Sequence, residues 1–348
     1  MSAEPTALAS PAAPARRHFG PYASRAHRTR YFSVVAALAV AAIAITALLL
    51  TWGNEYELFS ERWWRISSMR TASIVVIATV TFCQALATVT FQTVTDNRII
   101  TPSIMGFESL YVLIQTSIVF FFGTVGLTSI SPIVRFLLQV TLMVLFAAML
   151  YSWLLSGRFG NLHVMLLVGI ILGAGMGSLA TVMQQLLDPS EFDVLRARLF
   201  GNVGNASTEF LPIVIPICAI VGGLIWFFGK RLNVIALGSA TSTSLGMNHK
   251  RQVMLMLTLV SVLMAMSTSL VGPMTFLGFL IATLAYSITD THDHHRILPV
   301  AWLLGYVILA GAYFLLRHVL PVVDAVTIVI ELIGGLFFLL VILRKGRL

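Results

Sequence analysis

Long apolar runs alternate with short polar segments along most of the chain. A helix that crosses a bilayer needs about 20 predominantly apolar residues. Ten candidate segments can be drawn, and the eighth is short enough to begin inside the protein rather than at the lipid surface. They cover residues 31–50, 71–94, 104–122, 133–155, 162–187, 210–228, 252–271, 274–288, 297–316 and 326–343. The pattern predicts an all-α membrane protein of about ten transmembrane helices, with residues 31–348 forming one transmembrane domain.

The composition supports a membrane solvent for this fold. Hydrophobic residues make up 58% of the 348 residues and charged residues only 10%, whereas soluble domains carry roughly 25% charged residues. The net charge is +8, but the basic residues lie in short loops and near both ends. No basic face with interleaved aromatic residues is present, so we expect membrane orientation, rather than nucleic acid, to explain this charge.

The distribution of Lys and Arg predicts the orientation. If the N-terminus lies in the cytoplasm and the segments alternate, the cytoplasmic side receives more than twice as many basic residues as the outer side. This distribution predicts that both termini are cytoplasmic. Residues 1–30 are expected to form a cytoplasmic tail that is partly disordered. A cleaved signal peptide is disfavoured because the first apolar segment is long enough to span the membrane.

Residues that could carry out chemistry are scarce. The nearest approach to a phosphate-binding loop is Gly229-Lys230-Arg231, which lacks the hydroxyl that would hold magnesium. The histidine-rich run 292–295 alternates too tightly on a loop to surround one ion, so a solvated turn is favoured over a metal site. We therefore predict no catalytic residue, no metal site and no cofactor on this chain. If ATP drives its work, a partner must hydrolyse it.

The loop at residues 231–251, between the sixth and seventh segments, is amphipathic and is predicted to be cytoplasmic. Its glycines predict two short helices that meet at a sharp turn. Such a segment could present apolar side chains to a soluble partner, or it could lie in the headgroup region of the bilayer. The residues alone leave both interpretations open.

A motif in this loop resembles the FecCD-type permeases, which import iron–siderophores, haem and cobalamin. The family pattern L-N-x-x-x-L-G-x-x-x-x-x-S-L-G is matched by Leu232, Asn233, Leu237, Gly238, Ser244, Leu245 and Gly246. The resemblance implies the type II ABC importer permease fold. It also implies that Leu237, Gly238, Ser244, Leu245 and Gly246 couple the permease to a cytoplasmic ATPase subunit.

Further motifs extend this resemblance from about residue 70 to the C-terminus. The family pattern after the second segment is matched by Gln92, Asn97, Pro102 and Gly106, although Arg98 replaces the usual first proline. Residues 107–111 continue the pattern of a siderophore branch, which suggests catecholate or mixed-type chelates. The run 271–279 is similar to the family's G-P-I-x-F-x-G-L. The resemblance also implies an extracytoplasmic siderophore-binding protein and a second permease subunit as partners.

Candidates for the translocation pathway come from polar positions in apolar segments and from the second motif. They are Thr81, Gln84, Thr88, Gln92, Asn97, Pro102, Gly106 and Glu331. The spacing of the first four places them on one helix face, which could line the pathway or pack against another helix. Gly169, Gly173 and Gly177 form a small-residue ridge, which could serve close contact across a dimer or beside the pore, or ordinary helix packing within one subunit. Glu331 could serve a structural role or face the outer vestibule.

Four arginines on the predicted outer face are candidates for docking the binding protein: Arg62, Arg65, Arg70 and Arg317. The family resemblance supports Arg70 most directly, whereas exposed arginines can also be simply solvated. The alternative function is a secondary transporter driven by an ion gradient. That class favours intramembrane charges and inverted repeats, and the sequence shows one such charge and no clear repeat. A membrane enzyme that uses residues 292–295 is a third hypothesis.

Overall fold

The fold is known from a computed structural model that describes residues 24–54, 56–57, 60–129, 131–156, 162–199, 203–204, 206, 208–319 and 326–345. All regular secondary structure in these ranges is helical. In chain order the α-helices are α1 (Arg25–Thr51), α2 (Glu61–Val94), α3 (Phe107–Ser129), α4 (Pro132–Ser156), α5 (Leu162–Gln185), α6 (Pro189–Leu199), α7 (Leu211–Phe227), α8 (Gly229–Ile235), α9 (Ser239–Ser244), α10 (His249–Val271), α11 (Leu277–Thr289), α12 (His294–Phe314) and α13 (Val326–Lys345). Short 3₁₀ turns occupy Ser103–Met105 and Thr208–Phe210, and a π-helical turn at Leu315–Val319 continues α12.

Ten of these helices correspond to the ten predicted segments. Among the described residues, seven helical stretches are long and apolar enough to cross a membrane, and they belong to α1, α2, α4, α5, α7, α10 and α12. Three shorter apolar stretches lie in α3, α11 and α13. The short eighth segment is α11, which follows a break in the chain at residues 272–276. A short helix, α6, also forms in the polar stretch between the fifth and sixth segments.

Two helices begin earlier than the apolar pattern indicated. Helix α1 starts at Arg25 rather than residue 31, and α2 starts at Glu61 rather than residue 71. Serine side chains cap both new starts. The Ser24 hydroxyl accepts from the backbone N–H of His27, and the Ser60 hydroxyl accepts from that of Trp63. Both helices therefore begin in polar sequence that precedes their apolar stretches, where hydropathy does not indicate a helix start.

Helices α2 and α10 form the centre of the subunit. Their apolar stretches are the most buried of the seven, and α2 packs against α10, α12, α11 and α7. Helix α1 lies at the periphery against α12. Large apolar side chains such as Leu145, Met149 and Trp153 of α4 are largely exposed. An outward apolar surface of this kind suits contact with lipid or another membrane subunit.

The glycine ridge of α5 allows a close contact inside the subunit. A Cβ atom on Gly173 would lie 2.8 Å from the Cα atom of Gly106, and one on Gly169 would meet the side chain of Met105 at 2.8 Å. Gly106 also has φ +100°, which side chains rarely adopt. The small residues of α5 therefore seat the turn that precedes α3, which supports helix packing within one chain as the role of the ridge.

Candidate functional site

The predicted coupling loop folds into two short helices joined at a glycine. Helix α8 ends near Ala236, Gly238 has φ +89°, and α9 follows. A second glycine, Gly246, has φ +80° and ends α9. The two turns hold Leu237 and Leu245 outward, with 59% and 64% of their surfaces exposed. Because Leu side chains gain by leaving water, these two exposed side chains are candidates for contact with a partner, and we call them the coupling knob.

Polar contacts fix α9, the short helix that lies between the two leucines of the coupling knob. The Ser242 hydroxyl lies 2.7 Å from Nδ1 of His249, which ties α9 to the start of α10. The Ser244 hydroxyl donates to the carbonyl oxygen of Ala240, so this motif residue contacts its own helix. A cavity of about 950 Å³ lies beside the segment, between α9 and the C-terminal end of α2. The coupling segment, residues 231–251, is thus a defined structure attached to the helix bundle.

Asn233 joins the coupling segment to α12. Its Nδ2 atom donates to Oδ1 of Asp293 over 3.1 Å, and its Oδ1 atom accepts from the backbone N–H of His294 over 3.0 Å. The same oxygen lies 2.5 Å from Nδ1 of His294. Since an amide oxygen only accepts, Nδ1 of His294 carries the proton. Its Nε2 atom lies 2.7 Å from the Thr93 hydroxyl, so His294 also contacts α2.

Asp293 is the N-cap of α12, and its side chain accepts from the backbone N–H of His295 over 3.2 Å. Burial raises the pKa of Asp293, but the hydrogen bonds from Asn233 and the His295 backbone, together with the charges of His295 and Arg296, outweigh burial and hold it below its ordinary value. The carboxylate is therefore ionised at neutral pH. One network of side chains thus connects α8, α12 and α2.

The polar face predicted on α2 points into the subunit interior. Thr81, Gln84, Thr88 and Gln92 are all buried. Gln84 donates to the Ser267 hydroxyl of α10 over 3.4 Å, and Gly278 of α11 packs directly against Thr88. Gln92 donates to the carbonyl oxygen of Arg98 and so closes the turn after α2. This placement favours the helix-packing interpretation of the four side chains.

The other residues of the second motif shape the chain between α2 and α3. The Asn97 side chain accepts from the backbone N–H groups of Ile99 and Ile100. Pro102 is buried and precedes the 3₁₀ turn, which ends at Gly106. These residues therefore set the path of the backbone into α3, and Gly106 packs directly against Gly173 of α5.

Glu331 lies near a second carboxylate, Glu108, which was not among the residues predicted from the sequence. Its Oε1 atom is 3.5 Å from the Thr275 hydroxyl, which donates to Glu108. Glu108 is almost fully buried and also accepts from the backbone N–H of Met274 over 3.1 Å. The carboxylate of Glu108 therefore holds the break between α10 and α11. A carboxylate in an apolar segment was the available signal for Glu108, but its partners could not be identified from spacing.

The four predicted docking arginines differ in their surroundings. Arg62 and Arg65 are exposed on the first turns of α2, and Arg317 is exposed in the π-helical turn, where it donates to the Tyr313 hydroxyl. The guanidinium of Arg70 instead donates to the carbonyl oxygens of Leu49 and Trp52, over 3.1 and 2.7 Å. Arg70 thus caps the C-terminus of α1, where a cation is favoured by the helix dipole.

The histidine-rich run does not converge on a common point. His294 turns inward to Asn233 and Thr93, whereas His295 lies 3.5 Å from Asp293 and packs against Trp226. Across the described ranges, no group of three or more His, Cys, Asp or Glu side chains is arranged to hold a metal ion. The arrangement in this part of the chain is that of a helix start and its cap.

Comparisons with known proteins agree with the motifs. Residues 31–344 match the FecCD transport family. The chain is 46% identical over 327 residues to the petrobactin import system permease protein FatC of Bacillus anthracis, covering 94% of this chain and 92% of that protein. It is 35% identical over 263 residues to the petrobactin import system permease protein YclO of Bacillus subtilis (strain 168), covering 76% and 84% respectively.

The fold has a solved counterpart. A structure described as an inward-facing conformation of a metal-chelate type ABC transporter superposes with a TM-score of 0.79 at 18% identity, covering 90% of this chain and all of that chain. At this identity the likeness concerns the fold alone. The family match, the relatives and the apolar helices make this a multi-pass protein of the cytoplasmic membrane. The chain belongs to the FecCD transport family.

Proposed function

We propose that this chain is the pore-forming permease subunit of an ABC importer that carries ferric siderophores across the cytoplasmic membrane. The observation that carries the proposal is the coupling knob, Leu237 and Leu245, held outward by two glycine turns on a segment that matches the family motif. The similarity of the chain to petrobactin permeases makes ferric petrobactin the first chelate to test.

The proposed assembly follows from this role. Two permease subunits, this chain and a second, non-identical one, surround the pathway, and the exposed apolar helix faces meet lipid or that partner. The chain crosses the bilayer ten times with both termini in the cytoplasm, as the distribution of basic residues supports. This is the arrangement of a type II ABC importer. Neither nucleic acid nor a cofactor has a part in it.

Power comes from a separate ATPase subunit that binds the coupling knob. We favour docking of this segment on a protein over its lying in the lipid headgroup region, because Asn233 ties the segment to α12 and, through His294, to α2. A force applied at α8 can therefore reach both α12 and α2. A secondary transporter has less support, since the buried carboxylate of Glu108 holds a chain break rather than lining an ion path. The half-buried Glu331 makes only a 3.5 Å contact with Thr275 of the same break.

At the outer face, a binding protein delivers the chelate. Arg62, Arg65 and Arg317 are exposed and suit contacts with its acidic residues, whereas Arg70 is occupied at the end of α1. The iron arrives already coordinated by its chelator, so the permease itself needs no metal ligands. A large chelate has to move through the pathway, and a wide, transient opening is sufficient for this.

Uptake of radiolabelled iron chelates in a deletion strain tests the proposal. The strain is complemented with this chain and supplied with ferric petrobactin, a catecholate chelate, a hydroxamate chelate and ferric citrate in turn. We expect uptake of at least one siderophore that depends on both the chain and ATP. ATP-independent uptake that collapses with the ion gradient, or no uptake of any chelate despite normal membrane levels of the chain, would overturn it.

A further inference from the structure

A polar cavity of about 390 Å³ lies inside this apolar protein. It opens between the first turns of α3, the start of α4, the end of α6 and the end of α10. The polar side chains that line it are Tyr111, Gln115, Arg135, Gln139, Arg198, Glu209 and Ser269. Its volume is within the range of small-molecule sites, about 300–1,000 Å³. None of the family motifs described above includes its two arginines.

The cavity has a net positive lining. The charges of Arg135 and Arg198 act on each other and on Tyr111, and Glu209 supplies one opposing charge. The Tyr111 hydroxyl donates to the backbone carbonyl of Arg198 over 3.2 Å, which fixes the end of α6 against α3. Two guanidinium groups at one cavity repel each other, because both carry a positive charge. An anion placed between them would offset this repulsion.

Two buried amides supply an independent indication of a ligand. Nε2 of Gln115 donates to Oε1 of Gln139 over 2.6 Å, and the two residues are only 5% and 2% exposed. The remaining amide atoms, Oε1 of Gln115 and Nε2 of Gln139, have no hydrogen-bond partner within the described residues. A buried polar group left without a partner is unfavourable, because it has lost its hydrogen bonds to water and gained none in return. A ligand that bonds the Gln139 amide would remove part of that cost.

We propose that this cavity binds an anionic oxygen group, a carboxylate or a phosphate, between Arg135 and Arg198 and beside the amide of Gln139. A guanidinium offers a planar fork of donors that matches both groups. One source is a negatively charged donor arm of the chelate entering from the outer side, and this source rests on the proposed function. The other is the phosphate of an anionic lipid headgroup. The site itself does not depend on which source fills it.

The test uses the assembled transporter, with its second permease and ATPase subunits, in nanodiscs of neutral phosphatidylcholine. Binding of radiolabelled citrate is measured at equilibrium on wild type, Arg135→Gln and Arg198→Gln. We expect saturable binding by the wild type and a loss of affinity of about tenfold or more in each variant. The matched control is Arg196→Gln, which changes an exposed arginine of α6 outside the cavity lining and should leave the affinity unchanged.

A second preparation in phosphatidylglycerol nanodiscs separates the two sources. If the anionic lipid is the occupant, it will lower citrate binding and co-purify with the wild type but not with Arg198→Gln. Should an arginine variant lose thermal stability, Gln139→Leu replaces it and should also weaken binding. Absence of both citrate binding and lipid retention in the wild type, or an equal loss in Arg196→Gln, would overturn the site.

Ferric-chelate uptake by the same preparations, reconstituted in liposomes, separates this proposal from the proposed function. Uptake without anion binding overturns the anion site and leaves the transport function in place. Anion binding that depends on both arginines, in a preparation that transports no chelate, supports the site and overturns the transport function.

Discussion

Oδ1 of Asn233 accepts a hydrogen bond from the backbone N–H of His294 over 3.0 Å, across 61 positions of sequence. This contact joins the short helix α8 to the first turn of α12. Since His294 also contacts Thr93 of α2, a displacement of the coupling segment has a direct route to both α12 and α2.

Replacement of Asn233 by alanine removes the link while leaving the coupling knob in place. We expect substrate uptake to fall by about tenfold, the effect of roughly 1.4 kcal/mol from two or three lost hydrogen bonds. ATP hydrolysis by the assembled transporter should continue. The measurement is uptake and hydrolysis in the same proteoliposomes. Asn54→Ala, which removes a partly buried amide that donates to Trp63, is the control and should change neither. Equal losses of uptake and hydrolysis would contradict a transmitting role.

Arg70 should contribute to stability through the end of α1. Arg70→Met removes the guanidinium from the carbonyl groups of Leu49 and Trp52, and charged hydrogen bonds of this kind contribute about 2 kcal/mol. We expect a lower Tm for the detergent-purified protein, and no change for Arg65→Met, whose side chain is exposed. An unchanged Tm, together with lost affinity for the binding protein, would instead assign Arg70 to docking.

We expect a side chain at Gly173 to lower the stability of the protein. Gly173→Ala places a Cβ atom 2.8 Å from the Cα atom of Gly106, and overpacking of this kind costs about 1–3 kcal/mol. Gly175→Ala, on the same helix with open space around it, is the matched control and should be neutral or slightly stabilising. Thermal unfolding followed by size-exclusion chromatography compares the two variants. Equal stability would show that the backbone moves apart at little cost.

The two carboxylates near Thr275 should respond differently to amide replacement. Glu108→Gln loses an acceptor for either the Met274 N–H or the Thr275 hydroxyl, so it should disturb the break between α10 and α11 and reduce uptake. Glu331→Gln affects only a 3.5 Å contact and should retain most uptake. Uptake normalised to membrane protein level provides the comparison. Loss of uptake in Glu331→Gln at normal expression would favour a vestibule role for Glu331.

The sequence predicted the parts of the fold that depend on local pattern. The apolar segments become helices because they satisfy their own backbone in lipid, and the glycine turn at Gly238 forms as expected because a left-handed position excludes most side chains. Helix starts were predicted less well. Six of the first ten residues of α2 are polar or charged, and a serine cap rather than hydropathy determines where the helix begins.

Contacts between distant residues could not be derived from spacing. An arginine beside a membrane segment gives no indication that carbonyl groups of a preceding helix are within reach, so the contacts of Arg70 with the end of α1 had no signal in the sequence. Asn233 was recognised only as a motif residue, although its partners lie in the histidine-rich run. Such pairings arise from helix packing, which one sequence does not specify.

The central claim is that the coupling knob binds an ATP-hydrolysing subunit. Its most direct test is co-purification of that subunit with the tagged chain in which Leu245 is replaced by aspartate. The control, Ser68→Asp, adds the same charge at an exposed position near the other end of α2, roughly 40 Å along the helix from Val94. We predict that Leu245→Asp loses the ATPase subunit and Ser68→Asp retains it. Full retention by Leu245→Asp, with hydrolysis still coupled to uptake, would contradict the account.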